Sequence, residues 1–194
     1  MPLPSLLTDS DFSPTELSAL RIDGDVFSVG DGFVCADGIE DAAIRIRAIG
    51  PLLGSPRIAA RETAGWIYGQ GFDCPRPVQV VVPAGRSQST EPLRGVRLRE
   101  AVLTDDEVVE LGGLLITSPL RTIVDLLRES GWIEADAERV SGLMLREGHS
   151  PARVADALSE RRFQRERVRA MERLAELERL LPALGQPAET RYTS

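Results

Sequence analysis

Two short apolar runs, Val108–Leu111 and Leu114–Thr117, are separated by Gly112-Gly113. A two-residue connection between antiparallel strands needs positive φ at its centre, which glycine adopts without steric cost, so this stretch predicts a tight β-hairpin. Other strands follow from composition and period. Val78–Val82 is the near-continuous β-branched run expected of a strand buried on both faces, and Val96–Arg99 alternates apolar residues with arginine. Val26–Val29 and Phe33–Ala36 flank Gly30-Asp31-Gly32, read as a second hairpin with a three-residue turn. Between the middle strands, Pro83–Pro92 is a polar Gly/Ser/Pro loop.

Helical signals surround these strands. Ser13-Pro14-Thr15-Glu16 combines a serine N-cap, proline in the first turn and glutamate at N3, predicting a short helix to about Arg21. Ile39, Ala42, Ala43, Ile46 and Ile49 have helical spacing, and Gly50-Pro51 is expected to stop that helix. A further short helix covers Arg61–Tyr68 and ends at Gly69. After Thr117 the pattern becomes wholly helical: Ser118-Pro119 opens a helix to about Arg128 or Glu129, followed by Ala135–Arg146, Pro151–Glu160 behind a Ser150 cap, and Phe163–Leu181. The chain is therefore expected to be α+β, with a mixed β-sheet core and a helical C-terminal third. Residues 1–38 are read as a small helix-plus-hairpin, 39–182 as an α+β domain with C-terminal helices, and 183–194 as a flexible tail.

Composition removes whole classes of chemistry. All 23 basic residues among 194 are arginine, asparagine is absent, and there is one histidine, two cysteines and a net charge of −7. Without lysine there is no Schiff base, no P-loop lysine and no Ser-Lys nucleophile. His149 alone would have to serve any Ser-His or Cys-His scheme, and a His-rich metal site is excluded. Cys35 and Cys74 fit neither a CxxC motif nor a disulfide framework. No uncharged stretch approaches the roughly 20 apolar residues of a membrane span, and MPLPSLLTDSD has neither the basic start nor the apolar run of a secretory signal, so a cytoplasmic protein is expected. Residues 1–43 hold one arginine against nine acids, 44–124 hold ten against eight, and 125–194 hold twelve against thirteen, so the N-terminal piece is the acidic one.

Four groups of residues are candidates for function. Asp105, Asp106 and Glu107, with Glu110 close by, are the densest carboxylates and of the type that holds Mg²⁺, although Thr104 followed by acids is also an ordinary helix or turn start. His149 sits in a loop before a predicted N-cap, where a histidine is normally solvated. Gly69-Gln70-Gly71 and Gly30-Asp31-Gly32 are incomplete as nucleotide-binding turns. Arginines carry the strongest signal: Arg97 and Arg99 share one face of a predicted half-buried strand, near Arg86 and Arg94, in an arrangement that could meet phosphate oxygens or simply form a solvated face. The last helical tract adds Arg153, Arg161, Arg162, Arg165, Arg167, Arg169 and Arg173, interleaved with acids. Its apolar stripe of Val168, Met171, Leu174, Leu177 and Leu181 must pack on the domain's own sheet or on a second copy.

Thr117-Ser118-Pro119-Leu120-Arg121-Thr122-Ile123-Val124-Asp125 follows the Gly-Gly hairpin, and Val78–Val82 with Pro83, Gly85 and Arg86 precedes it. Together with Ala64-Gly65-Trp66-Ile67-Tyr68-Gly69, this order of motifs resembles the AbiEi-type antitoxins of type IV toxin–antitoxin systems, over most of residues 13–145. The resemblance implies an antitoxin-like fold, an N-terminal winged-helix DNA-binding part that represses its operon, and a nucleotidyltransferase-like toxin as partner. Helix 14–21 and hairpin 26–36 would be a remnant of that winged helix. Within the block, Arg121 and Asp125 are four apart and can pair on one helix face, tying the helix to the sheet, so Thr117, Pro119, Arg121, Thr122 and Asp125 read as structural.

The expectation is a non-catalytic, antitoxin-like regulator that needs no cofactor or metal and binds DNA or a cognate toxin protein. Arg86, Arg94, Arg97, Arg99, Arg161, Arg162 and Arg165 are its candidate contacts, and the C-terminal helix is a route to an oligomer. The alternatives are a stand-alone protein-interaction domain without DNA binding, and a carboxylate-dependent enzyme on nucleic acid that would use Asp105, Asp106, Glu107 or Asp125.

Overall fold

The computed structural model describes residues 4–69, 71–85, 94–160 and 164–184. They fall into two compact units, Met1–Ser118 and Pro119–Ser194, a division placed inside the segment that the sequence reads as one domain from 39 to 182.

The first unit opens with helix α1, Pro14–Asp23, formed where the capping box predicts it. Ser13 N–H donates to Glu16 Oε2 at 2.8 Å and Ser13 Oγ accepts from Glu16 N–H at 3.3 Å, which satisfies donors a helix start otherwise leaves open. Strands β1 (Val26–Val29) and β2 (Gly32–Cys35) form the first hairpin. Gly32 pairs with Val29, so the turn is the two residues Gly30-Asp31 and not three. Gly30 supplies the positive φ of 58° that such a turn requires at its first central position, which frees Gly32 to join the strand. Leu7 exchanges backbone hydrogen bonds with Phe33 at 2.7 and 2.9 Å, and its side chain joins Leu17 and Val26 in a small core under α1.

Helix α2 (Ala42–Ala48) starts on the Asp41 cap, and α3 (Gly50–Leu53) follows at once. Gly50-Pro51 therefore restarts a helix where a stop is expected, because proline in a first turn forgoes only an N–H that has no intrahelical partner. Ile39 stays 80% exposed, outside the helix its spacing suggests. Strand β3 is only Ile58–Ala59, helix α4 is Arg61–Tyr68 with Gly69 as its left-handed cap, and strands β4 (Val78–Pro83), β5 (Val96–Ala101), β6 (Val108–Leu111) and β7 (Leu114–Thr117) complete the unit.

These five strands form one mixed sheet in the order β5-β4-β3-β7-β6. β4 and β5 are parallel, as are β3 and β7, while β3–β4 and β6–β7 are antiparallel. Val78, Val80, Val81 and Val82 are all buried, as a valine run inside a sheet should be. The β6–β7 hairpin has the predicted two-residue turn, with Gly112 at φ 59° and Gly113 at φ 82°. Two side chains lock α4 to the sheet: Thr63 Oγ1 accepts from the Gln79 N–H at 2.7 Å, and the Tyr68 hydroxyl donates to the Thr117 carbonyl at 2.7 Å.

The second unit is helical: α5 (Pro119–Leu127), α6 (Glu134–Arg146), α7 (Pro151–Ser159) and α8 (Gln164–Leu184). α8 packs against α5, α6 and α7, and its Ala170, Leu174 and Leu177 are buried. Those helices cover the apolar stripe that the sequence assigns to a sheet or a second copy, while Val168 at its start is left exposed. Residues of the predicted tail beyond 184 lie outside the described ones.

Candidate interaction surface

β5 is an edge strand, not the half-buried strand its alternation suggests. Among the described residues it pairs with β4 alone, and Arg97, Leu98, Arg99 and Glu100 are all exposed. The register places Arg97 beside Gln79 and Arg99 beside Val81, which puts both arginines on one face, as predicted. The bonds that bracket the strand fix its backbone orientation: the carbonyl of Gly95 accepts from Val78 N–H at 2.8 Å, and that of Ala101 accepts from Ala84 N–H at 2.9 Å. In a parallel ladder alternate residues turn both backbone groups to the same neighbour, so Arg97 and Arg99 bond toward β4. The N–H and C=O of Val96, Leu98 and Glu100 then face outward. Among the described residues nothing pairs with them, and Arg94, Arg97 and Arg99 make no ion pair or side-chain hydrogen bond. Edge position is a property of sheet order, so no local signal in the sequence could have found these outward backbone groups.

The remaining predicted contacts separate. Arg94 is exposed in the turn leading into β5, whereas Arg86, Arg161 and Arg162 lie outside the described residues. Arg165 belongs to α8, but its side chain also lies outside them. Arg173, counted in the same basic tract, is instead a capping residue. Its Nη1 donates to the Leu127 and Glu129 carbonyls at 2.7 and 2.6 Å, and its guanidinium lies 4.9 Å from the Trp132 ring centroid. It occupies carbonyls at the end of α5 that a helix terminus leaves without partners. Arg167 reaches the Ser159 hydroxyl at 3.3 Å, and Arg153 is exposed in the first turn of α7.

Thr117 and Thr122 are fully buried, Pro119 starts α5, and Arg121 Nε lies 2.7 Å from Asp125 Oδ2 within that helix. Asp125 is thereby committed to Arg121.

The carboxylates at 105–107 form one 3-10 turn, where Glu107 Oε2 accepts from Thr104 N–H at 3.1 Å to close a capping box. Among the described residues no three His, Cys, Asp or Glu side chains are grouped so as to hold a metal ion. His149 lies between α6 and α7, where burial pushes its pKa below the usual 6.5, opposed by Glu147 and reinforced by Arg153. An open cavity of about 550 Å³ in the first unit is lined by Asp9, Asp31 and Arg47 among others. Asp31 is already held by Arg76, and Arg47 Nε donates to the Ala43 carbonyl at 3.1 Å, so two carboxylates and one engaged cation make the cavity a poor host for phosphate. No helix among the described residues is long and apolar enough to cross a membrane.

The fold is α+β: a helix-plus-hairpin and a mixed five-stranded sheet with an arginine-bearing edge, followed by a helical unit. A scan against protein-family models finds no match, and no curated protein matches the chain. Among solved structures, the chain is similar to that of the Rv2827c protein from Mycobacterium tuberculosis, at 16% identity and a TM-score of 0.48, over 95% of this chain and 74% of that one.

Proposed function

We propose that the protein is a cytoplasmic, non-catalytic, antitoxin-like regulator, resembling the AbiEi-type antitoxins, which acts by binding a partner through the arginine face of β5. The observation that carries this reading is the pair Arg97 and Arg99, exposed on one face of an edge strand with no ion pair among the described residues. Other arginines have an acidic partner within their own unit, as Arg45 has Glu40, Arg76 has Asp31 and Arg139 has Asp136. An exposed guanidinium that makes no ion pair keeps its fork of donors for a carboxylate or phosphate from another molecule. The enzyme reading has less support, since Glu107 is engaged in a cap and Asp125 in a buried pair.

The test is binding of the purified protein to a fluorescent generic DNA duplex across a salt series, with an R97E/R99E variant alongside. Engagement of Arg94, Arg97 and Arg99 by phosphates gives a log–log salt slope of about −3, reduced by about 2 in the variant. No binding to the duplex even at low salt leaves a protein partner as the target of this face. An unchanged slope in the variant overturns the role of the arginines.

A further inference from the structure

We propose that β5 takes an extended acidic segment of a partner protein as an added sixth strand of the sheet. This rests on the reading of the β5 arginines as a binding face, and it names the partner's chemistry and the way it docks. Val96, Leu98 and Glu100 present outward N–H and C=O groups on a strand whose side chains are largely exposed. Such an edge is a template for a further strand, bound through main-chain hydrogen bonds with side chains adding specificity.

The charges select among occupants. A second copy pairing antiparallel through β5 would be related by a two-fold axis perpendicular to the sheet, which keeps each side chain on its own face. Odd-numbered residues must then stand opposite odd-numbered ones. The two registers closest to full overlap set Arg97 against Arg99 of the other copy, or Arg99 against itself. Like charges directly opposite each other are destabilising, so the arginines work against self-pairing. DNA phosphates would meet the guanidinium groups but leave the outward N–H and C=O groups unused. An acidic strand satisfies both.

The geometry also sets the order of residues in that strand. Because the backbones of Arg97 and Arg99 turn toward β4, an antiparallel incoming strand meets them as non-hydrogen-bonded pairs, where Cα atoms are about 4.5 Å apart and side chains are closest. Residues opposite Arg97 and Arg99 should therefore be acidic, and the residue between them, opposite Leu98, should be apolar and hydrogen-bonded. The motif is acid, apolar, acid.

The experiment uses the full chain and a labelled Thr-Glu-Val-Glu-Val-Glu-Thr peptide, with fluorescence anisotropy as the readout. Three changes each probe a different part: the same peptide N-methylated at both valines, an L98P variant, and the R97E/R99E variant. Leu98→Pro deletes one outward N–H while keeping both arginines and the bonds to β4, and proline is tolerated at an edge of this kind. Each change is expected to weaken peptide binding about tenfold or more. Peptide binding indifferent to N-methylation overturns the added strand, and this arm uses the unmodified protein, so it stands even if L98P fails to fold. Salt-dependent binding of a DNA duplex that is lost in R97E/R99E but kept in L98P, without peptide binding, overturns the acidic segment and leaves the arginine face in place. No binding of either probe at low salt overturns both.

Discussion

Arg121 and Asp125 form an ion pair one helical turn apart within α5, with Nε 2.7 Å from Oδ2 and side chains only 7% and 5% exposed. Such a pair is stabilising mainly in the sense that neither partner can be removed alone: a buried charge without its counter-charge keeps the desolvation cost and loses the attraction. Asp125→Ala is expected to destabilise the protein by about 3–5 kcal/mol. The double variant R121M/D125L should lose less than Asp125→Ala, since it leaves no buried charge at either position. Urea unfolding of the three proteins checks this; a double variant at least as unstable as Asp125→Ala would count against the pair as the source of the loss.

The two polar locks between α4 and the sheet are not equivalent. Thr63→Val strips the acceptor from a buried backbone N–H, that of Gln79, which then has no partner in place of its 2.7 Å bond. Tyr68→Phe strips a donor from the Thr117 carbonyl. An N–H left alone in the interior is rarer and less tolerated than an under-used carbonyl. Thr63→Val should cost about 2 kcal/mol and Tyr68→Phe about 1 kcal/mol. Thermal unfolding that ranks them in the opposite order would contradict this account.

How much of the fold is legible in the sequence depends on whether the cause is local. The Ser13 capping box, the Gly112-Gly113 turn and the valine run at 78–82 are set by neighbours within a few residues, and the structure has each where the sequence predicts it. Gly30-Asp31-Gly32 is ambiguous because either two or three residues of that run can make a turn, and only the pairing of Gly32 with Val29 decides. Strand β3 is invisible because Ile58–Ala59 is too short to show a period, although it sits at the centre of the sheet. The face shared by Arg97 and Arg99 is legible from alternation, whereas the open edge beside them is not, because sheet order joins segments far apart in the chain. Arg173 falls into a basic tract on sequence grounds because its targets, the carbonyls of Leu127 and Glu129, lie more than 40 residues away.

Arg173 supplies a test of that reassignment. It sits between two carbonyls and the Trp132 ring, so replacing it disturbs the end of α5 and the environment of one of the two tryptophans together. Arg173→Met keeps much of the aliphatic stem but removes the donors, and should cost about 1–2 kcal/mol. Lysine should recover only part of this, because a compact ammonium could still meet the carbonyls that Nη1 holds but lacks the planar group that stacks on the Trp132 ring. Tryptophan fluorescence and thermal melts read both effects; an Arg173→Met protein with wild-type stability would return the residue to the solvated basic tract.

His149 gives a pH dependence with a definite sign. Burial favours its neutral form and holds its pKa below 6.5, with Glu147 opposing and Arg153 reinforcing. The unfolded chain, free of that burial, takes up the proton first as pH falls, so it binds more protons than the folded protein over the interval between the two pKa values. Stability from this group is therefore full above the unfolded pKa and declines as pH falls through 6.5 toward the lower folded value. Carboxylates also titrate in acid, and the comparison that isolates the histidine is with His149→Gln, which carries no charge at either pH. Between about pH 7.5 and about pH 5.5 the wild-type melting temperature should fall further than that of His149→Gln. Equal falls in the two proteins would show that the imidazole is as well solvated in the folded state as in the unfolded chain.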